Sequence, residues 1–113
     1  MTDIAVPTPY GRLVGTRTAH GLACLGIRYA EPPVGARRMR APVAIRRVAD
    51  SVDARFSGAS PCQTARPARP WAAPEGPMTV SEDCLNLNVF TPAADDGHRP
   101  VLVYLFEIGR AHV

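Results

Sequence analysis

The chain has 113 residues, room for one small domain but not for a complete layered α/β enzyme. Thirteen basic residues, all arginine, outnumber ten acidic ones and give a net charge of +3. Arg37, Arg38, Arg40, Arg46 and Arg47 cluster, but proline and apolar residues rather than aromatics interleave them, so the charge reads as solvated surface and no nucleic-acid partner is expected.

Met1-Thr2-Asp3-Ile4 lacks the basic start and apolar centre of an export signal, and no apolar run is long enough to span a bilayer. A soluble, cytoplasmic chain with no membrane partner is the expectation. Arginine without lysine, together with abundant Ala, Pro and Gly, is what a GC-rich coding sequence produces, which points to a bacterial source. In a reducing compartment Cys24, Cys62 and Cys84 need not pair, and one stays free in any case.

Twelve prolines and nine glycines spread along the chain predict short strands and loops with little helix. In chain order, residues 4–7, 12–18 and 22–29 read as strands, separated by turns at Tyr10-Gly11 and His20-Gly21. Glycines at 11, 15, 21 and 26 suit tight reversals and close backbone approach. Pro32-Pro33-Val34-Gly35 forces a rigid turn. Residues 43–48 form a candidate short strand and residues 51–56 a candidate helical turn. Five prolines between 61 and 80 mark a loop bracketed by Cys62 and Cys84, and it contains the only tryptophan, Trp71. Leu85, Leu87 and Val89 alternate with Asn86, Asn88 and Phe90, which predicts a strand with one apolar face, stopped by Pro92. Residues 101–105, apolar throughout, read as a strand buried on both faces. The polar turn 93–98 between them makes the two runs expected neighbours.

The run Glu82-Asp83-Cys84-Leu85 followed by Leu87-Asn88-Val89-Phe90 resembles a signature of the type-B carboxylesterases, the family that includes the cholinesterases. Tyr10-Gly11-Arg12-Leu13-Val14-Gly15 and Gly26-Ile27-Arg28-Tyr29-Ala30-Glu31-Pro32-Pro33-Val34-Gly35 resemble that family's N-terminal blocks in the same order, with Arg28 standing where most members have proline. The resemblance implies an α/β-hydrolase fold, of which residues 1–105 would be the N-terminal part, acting on small-molecule esters without a cofactor. It further implies an ion pair between Arg38 and Glu82, with Arg38→Ala more harmful than Arg37→Ala because a stranded partner charge is costly. It also implies a disulfide between Cys62 and Cys84 under oxidising conditions, and a gorge-lining role for Trp71 to set beside the plainer one of covering apolar surface.

The chemistry of that family needs a nucleophilic serine on a strand-to-helix elbow, a histidine base, an acid and backbone oxyanion donors. Gly58-Ala59-Ser60-Pro61-Cys62 is the nearest candidate and fails, because Pro61 has no N–H and Cys62 replaces the last glycine, so Ser60 reads as a turn residue. His20, His98 and His112 have no nucleophile at motif spacing, and the cysteines lack zinc-ligand spacing. No catalytic residue is assigned. After residue 105 the resemblance stops. Glu107-Ile108-Gly109-Arg110-Ala111-His112-Val113 is what one reading frame of a common sequencing-adapter oligonucleotide encodes, so residues 106–113 are expected to be a non-native tail. Two other readings stand beside the inactive N-terminal fragment of an ester hydrolase. One is a non-catalytic binding or adhesion domain of the same family, and the other a self-contained β module binding an acidic partner through its arginines.

Overall fold

The computed structural model of the chain describes residues 2–46, 50–63 and 79–105. Five strands form one sheet: β1 (Thr2–Thr8), β2 (Gly11–Thr18), β3 (Gly21–Arg28), β4 (Ser51–Asp53) and β5 (Asn86–Thr91). The order along the main path is β1-β2-β3-β5, antiparallel throughout, and β4 joins β2 in parallel. One 3₁₀ turn, Gly35–Arg37, is the only helical element among the described residues.

Both tight turns use one device. Thr8 donates through its hydroxyl to the Gly11 carbonyl at 2.6 Å and accepts from the Tyr10 N–H at 3.3 Å. Thr18 repeats this with Gly21 and His20, each at 3.2 Å. The glycine that ends each turn has φ 136°, a conformation that side chains other than glycine's rarely adopt. The spaced pairs Thr8/Gly11 and Thr18/Gly21 therefore set where β1, β2 and β3 reverse, and with it their register.

β2 shares its second edge between two partners. Thr16 to Thr18 pair with β3, whereas Arg12 to Val14 pair with β4. At the divergence Ala54 fills the gap: its N–H donates to the Val14 carbonyl at 2.8 Å and its carbonyl accepts from the Leu25 N–H at 2.7 Å. It is fully buried. The helical turn expected at 51–56 is thus replaced by a short strand and this bridging residue. Pairing with β2 and β3 satisfies backbone groups that an isolated turn would leave to water. Residue 44 of the candidate strand 43–48 makes only an isolated bridge to Ala30, and residues 47–49 lie outside the described residues.

The core is small. Leu22, Ala23, Cys24, Ala30 and Ala54 are its buried apolar residues, three of them on the central strand β3. Residues 101–105 differ from expectation: they are 71 to 95% exposed and take no ladder partner among the described residues. A run apolar on both faces needs cover on both, and the described residues provide neither that cover nor a strand beside it.

At the far edge Arg55 ties β1 to β4. Its side chain makes two hydrogen bonds to Asp53, at 2.8 and 2.7 Å, and one to Asp3 at 2.7 Å. The hydrogen bonds from Arg55 hold the Asp53 carboxyl down at about 2. A carboxylate depressed in the folded state contributes stability above its unfolded pKa of about 3.9 and loses it as pH falls through the folded value. Acid titration of unfolding should therefore show a small loss between about pH 4 and 2 that Asp53→Asn reduces without abolishing, because Arg99 holds the Asp95 carboxyl down at about 2 as well.

A second prediction concerns the bulge in β3. Gly26 has φ 62°, and a Cβ there would lie 2.6 Å from the Phe56 carbonyl oxygen and 2.8 Å from the Gly58 nitrogen. Gly35 has a similar φ of 57° but open space around it. In urea unfolding Gly35→Ala should cost about 1 kcal/mol, from backbone strain alone. Gly26→Ala should cost about 2 kcal/mol or more, because backbone must also move.

Candidate functional site

The family-like residues converge where the chain enters β5. Ser60 and Val80 form a parallel bridge, with the Ser60 N–H donating to the Thr79 carbonyl at 2.8 Å and the Ser81 N–H to the Ser60 carbonyl at 3.0 Å. Ser60 is therefore a bridge residue rather than a turn residue, and it stands on no strand-to-helix elbow. Asn86 fastens the next step by donating from Nδ2 to the Ala59 carbonyl at 2.9 Å.

The neighbouring carboxylates Glu82 and Asp83 each meet an arginine. Arg38 Nε lies 2.6 Å from Glu82 Oε1, and both side chains are about half exposed, 57% and 46%. The pair is a surface one, so removing a partner strands no buried charge. Arg37, by contrast, reaches Glu31 only at 3.6 Å. Arg28 forms a two-pronged pair with Asp83, one prong at 2.7 Å and the other, Nη1 to Oδ1, shorter. The hydrogen bond to Asp83 leads the effects that raise the Arg28 pKa, against a burial penalty. Sequence reasoning marked Arg28 only as a departure from the family pattern and missed its partner, 55 residues away.

Cys62 is exposed, Cys84 is half-buried, and both carry free thiols in this structure. Burial pushes the Cys84 thiol up, and the nearby Cys62 adds to the rise. The two cysteines of the candidate disulfide are thus free thiols here. Trp71 and His112 lie outside the described residues.

Asn88 is another residue the alternating pattern did not mark. Its Oδ1 accepts from the Gly26 N–H at 2.9 Å. The register of β3 against β5 shifts between Cys24 and Ile27, and the asparagine satisfies a donor that the irregular ladder leaves over.

An open cleft of about 200 Å³ lies beside this region, walled by Tyr29, Pro33, Pro42, Val43 and Leu85, with Glu31 and Arg37 on its lining. No serine, cysteine or histidine lines it. His20 is exposed in a turn, and His98 sits in the polar loop with φ 45°. Among the described residues no group of three or more His, Cys, Asp or Glu could hold a metal, and no helix is long and apolar enough to cross a membrane. The polar contacts described here tie neighbouring backbone segments together.

Comparison with known proteins accounts for this architecture. The sequence profile of the carboxylesterase family matches residues 2–110, running five residues past Leu105, where the motif resemblance ends. The chain is 42% identical to phenmedipham hydrolase of Pseudarthrobacter oxydans over 84 residues, which cover 71% of this chain and 16% of that protein. It is 39% identical to para-nitrobenzyl esterase of Bacillus subtilis over 106 residues, covering 93% of this chain and 21% of that one. Its backbone resembles that of a thermophilic PNB esterase with a TM-score of 0.65 at 36% identity, over 80% of this chain and 18% of the other. The chain thus spans between about a sixth and a fifth of the length of these relatives. The blocks at 10–15, 26–35 and 82–90, the antiparallel sheet they build and a profile match over nearly every residue agree, and the chain belongs to the carboxylesterase family.

Proposed function

We propose that this chain supplies the opening sheet of a carboxylic ester hydrolase that works through an acyl-serine intermediate on small-molecule esters, and that its own residues carry out no hydrolysis. The observation that carries the reading is the run 101–105, five large apolar residues 71 to 95% exposed and next in sequence to a sheet whose edge strand is β5. Such a surface calls for covering strands and helices, and a family match over nearly the whole chain supports those of a carboxylesterase. The relatives, a phenmedipham hydrolase and a para-nitrobenzyl esterase, support a hydrolase, and the second supports an ester substrate.

The residues described fit a supporting role. Ser60 has its backbone tied into a bridge and is followed by Pro61, which cannot donate an N–H to an oxyanion. A self-contained β module is disfavoured by the same exposed run and by a core built mainly of alanines. On this reading the nucleophile, the base and the acid belong to sequence other than these residues, and residues 106–113 are a non-native tail.

Two measurements test the proposal. The purified chain should not turn over p-nitrophenyl acetate and should not be labelled by a serine-directed fluorophosphonate; labelling of Ser60 with turnover would overturn it. Recovery of the genomic locus should show a Gly-x-Ser-x-Gly elbow and a His-Gly-Gly segment in frame after codon 105. Finding instead that codons 106–113 are genuine and end in a stop would also refute it.

A further inference from the structure

The chain segments that lead to Cys62 and Cys84 run side by side, and the contacts around them show what holds them there. Ser60 and Val80 run side by side in a parallel bridge, so the two stretches leading to Cys62 and Cys84 are aligned by backbone hydrogen bonds. Glu82 is held by Arg38, which follows the 3₁₀ turn, and Asp83 is held by Arg28, which ends β3. Asn86 fastens the entry to β5 onto Ala59. The Tyr29 N–H donates to the Leu85 carbonyl at 3.3 Å, so the same stretch is tied to the chain just beyond β3. None of these contacts involves a sulfur.

We infer that Glu82 and Asp83, each gripped by its own arginine, form an electrostatic latch that fixes residues 79–85 against β3 whatever the oxidation state of Cys62 and Cys84. The two-pronged Arg28–Asp83 pair constrains direction as well as distance, and the single Arg38–Glu82 bond adds a second anchor. Because Arg28 and Arg38 come from different parts of the chain, the two pairs together resist both sliding and rotation of the segment. Being half exposed, they are open to screening by salt. The latch is thus indifferent to redox conditions and sensitive to ionic strength, the opposite of what a disulfide would make it. This inference does not depend on the hydrolase reading.

Amide hydrogen exchange of the whole chain tests it, read at Ser60, Ser81 and Tyr29, whose N–H groups make the bonds in question. Exchange there should change less than about twofold on adding reductant or on Cys62→Ser, and rise about tenfold in Arg28→Ala/Arg38→Ala. It should also rise in about 1 M salt, where charges are screened within about 3 Å. The β1–β2 hairpin amides serve as the internal reference. If the double variant unfolds them as well, the isosteric Glu82→Gln/Asp83→Asn chain is read instead, with the same rise expected. Protection that vanishes on reduction, or that persists without the four charges, would overturn the latch. So would amides left unprotected in the unaltered chain under every condition.

Discussion

One residue decides how this sheet can branch. Ala54 sits with no exposed surface at the point where β3 departs from β2, giving its N–H to Val14 and receiving the N–H of Leu25. Buried backbone groups left unpaired there would cost more than a surface contact returns, so the split requires a residue that pairs in both directions. Zero exposure leaves room for little more than a methyl group. Once that residue is in place, Ser51–Asp53 is brought alongside β2, and Arg55 is placed to clamp Asp53 and Asp3. The parallel addition, the clamp and the outward turn of β3 all follow from one filled gap.

The two sides of the sheet are finished differently. Around the entry to β5, ion pairs, a parallel bridge and asparagine side chains account for the polar groups one after another. Beyond β5, residues 101–105 present bare apolar side chains. A surface of that kind on a soluble domain marks a place where something else packs. The contrast places the ordered chemistry of this chain in positioning and its unmet need in burial. Under the proposed reading, that division is the one a sheet serving a larger hydrolase would have, since function on this fold resides in particular residues rather than in the sheet itself.

Arg28 illustrates how a departure from family pattern can acquire a role. Its guanidinium reaches Asp83, one residue beyond the Glu82 that Arg38 holds. The acidic dipeptide thereby becomes a junction between β3, the 3₁₀ turn and β5. The energies of such half-exposed pairs are modest individually, and their effect lies in geometry: two directed pairs at adjacent residues leave the backbone between them few alternatives.

Much of this was present in the chain itself. The Thr-x-x-Gly spacing at residues 8–11 and 18–21 dictates two reversals through local hydrogen bonds and a glycine conformation, and alternation from Leu85 to Phe90 dictates a strand, because both effects act over a few residues. Family likeness could be read from three blocks and suggested Arg38 for Glu82. Tertiary structure alone decided the rest: that residues 51–54 are a strand and a bridge instead of a helical turn, that Arg28 belongs to Asp83, and that 101–105 is left uncovered. Each of those depends on groups distant in sequence meeting in space. No local propensity specifies which distant backbone or charge will be there to complete the bond.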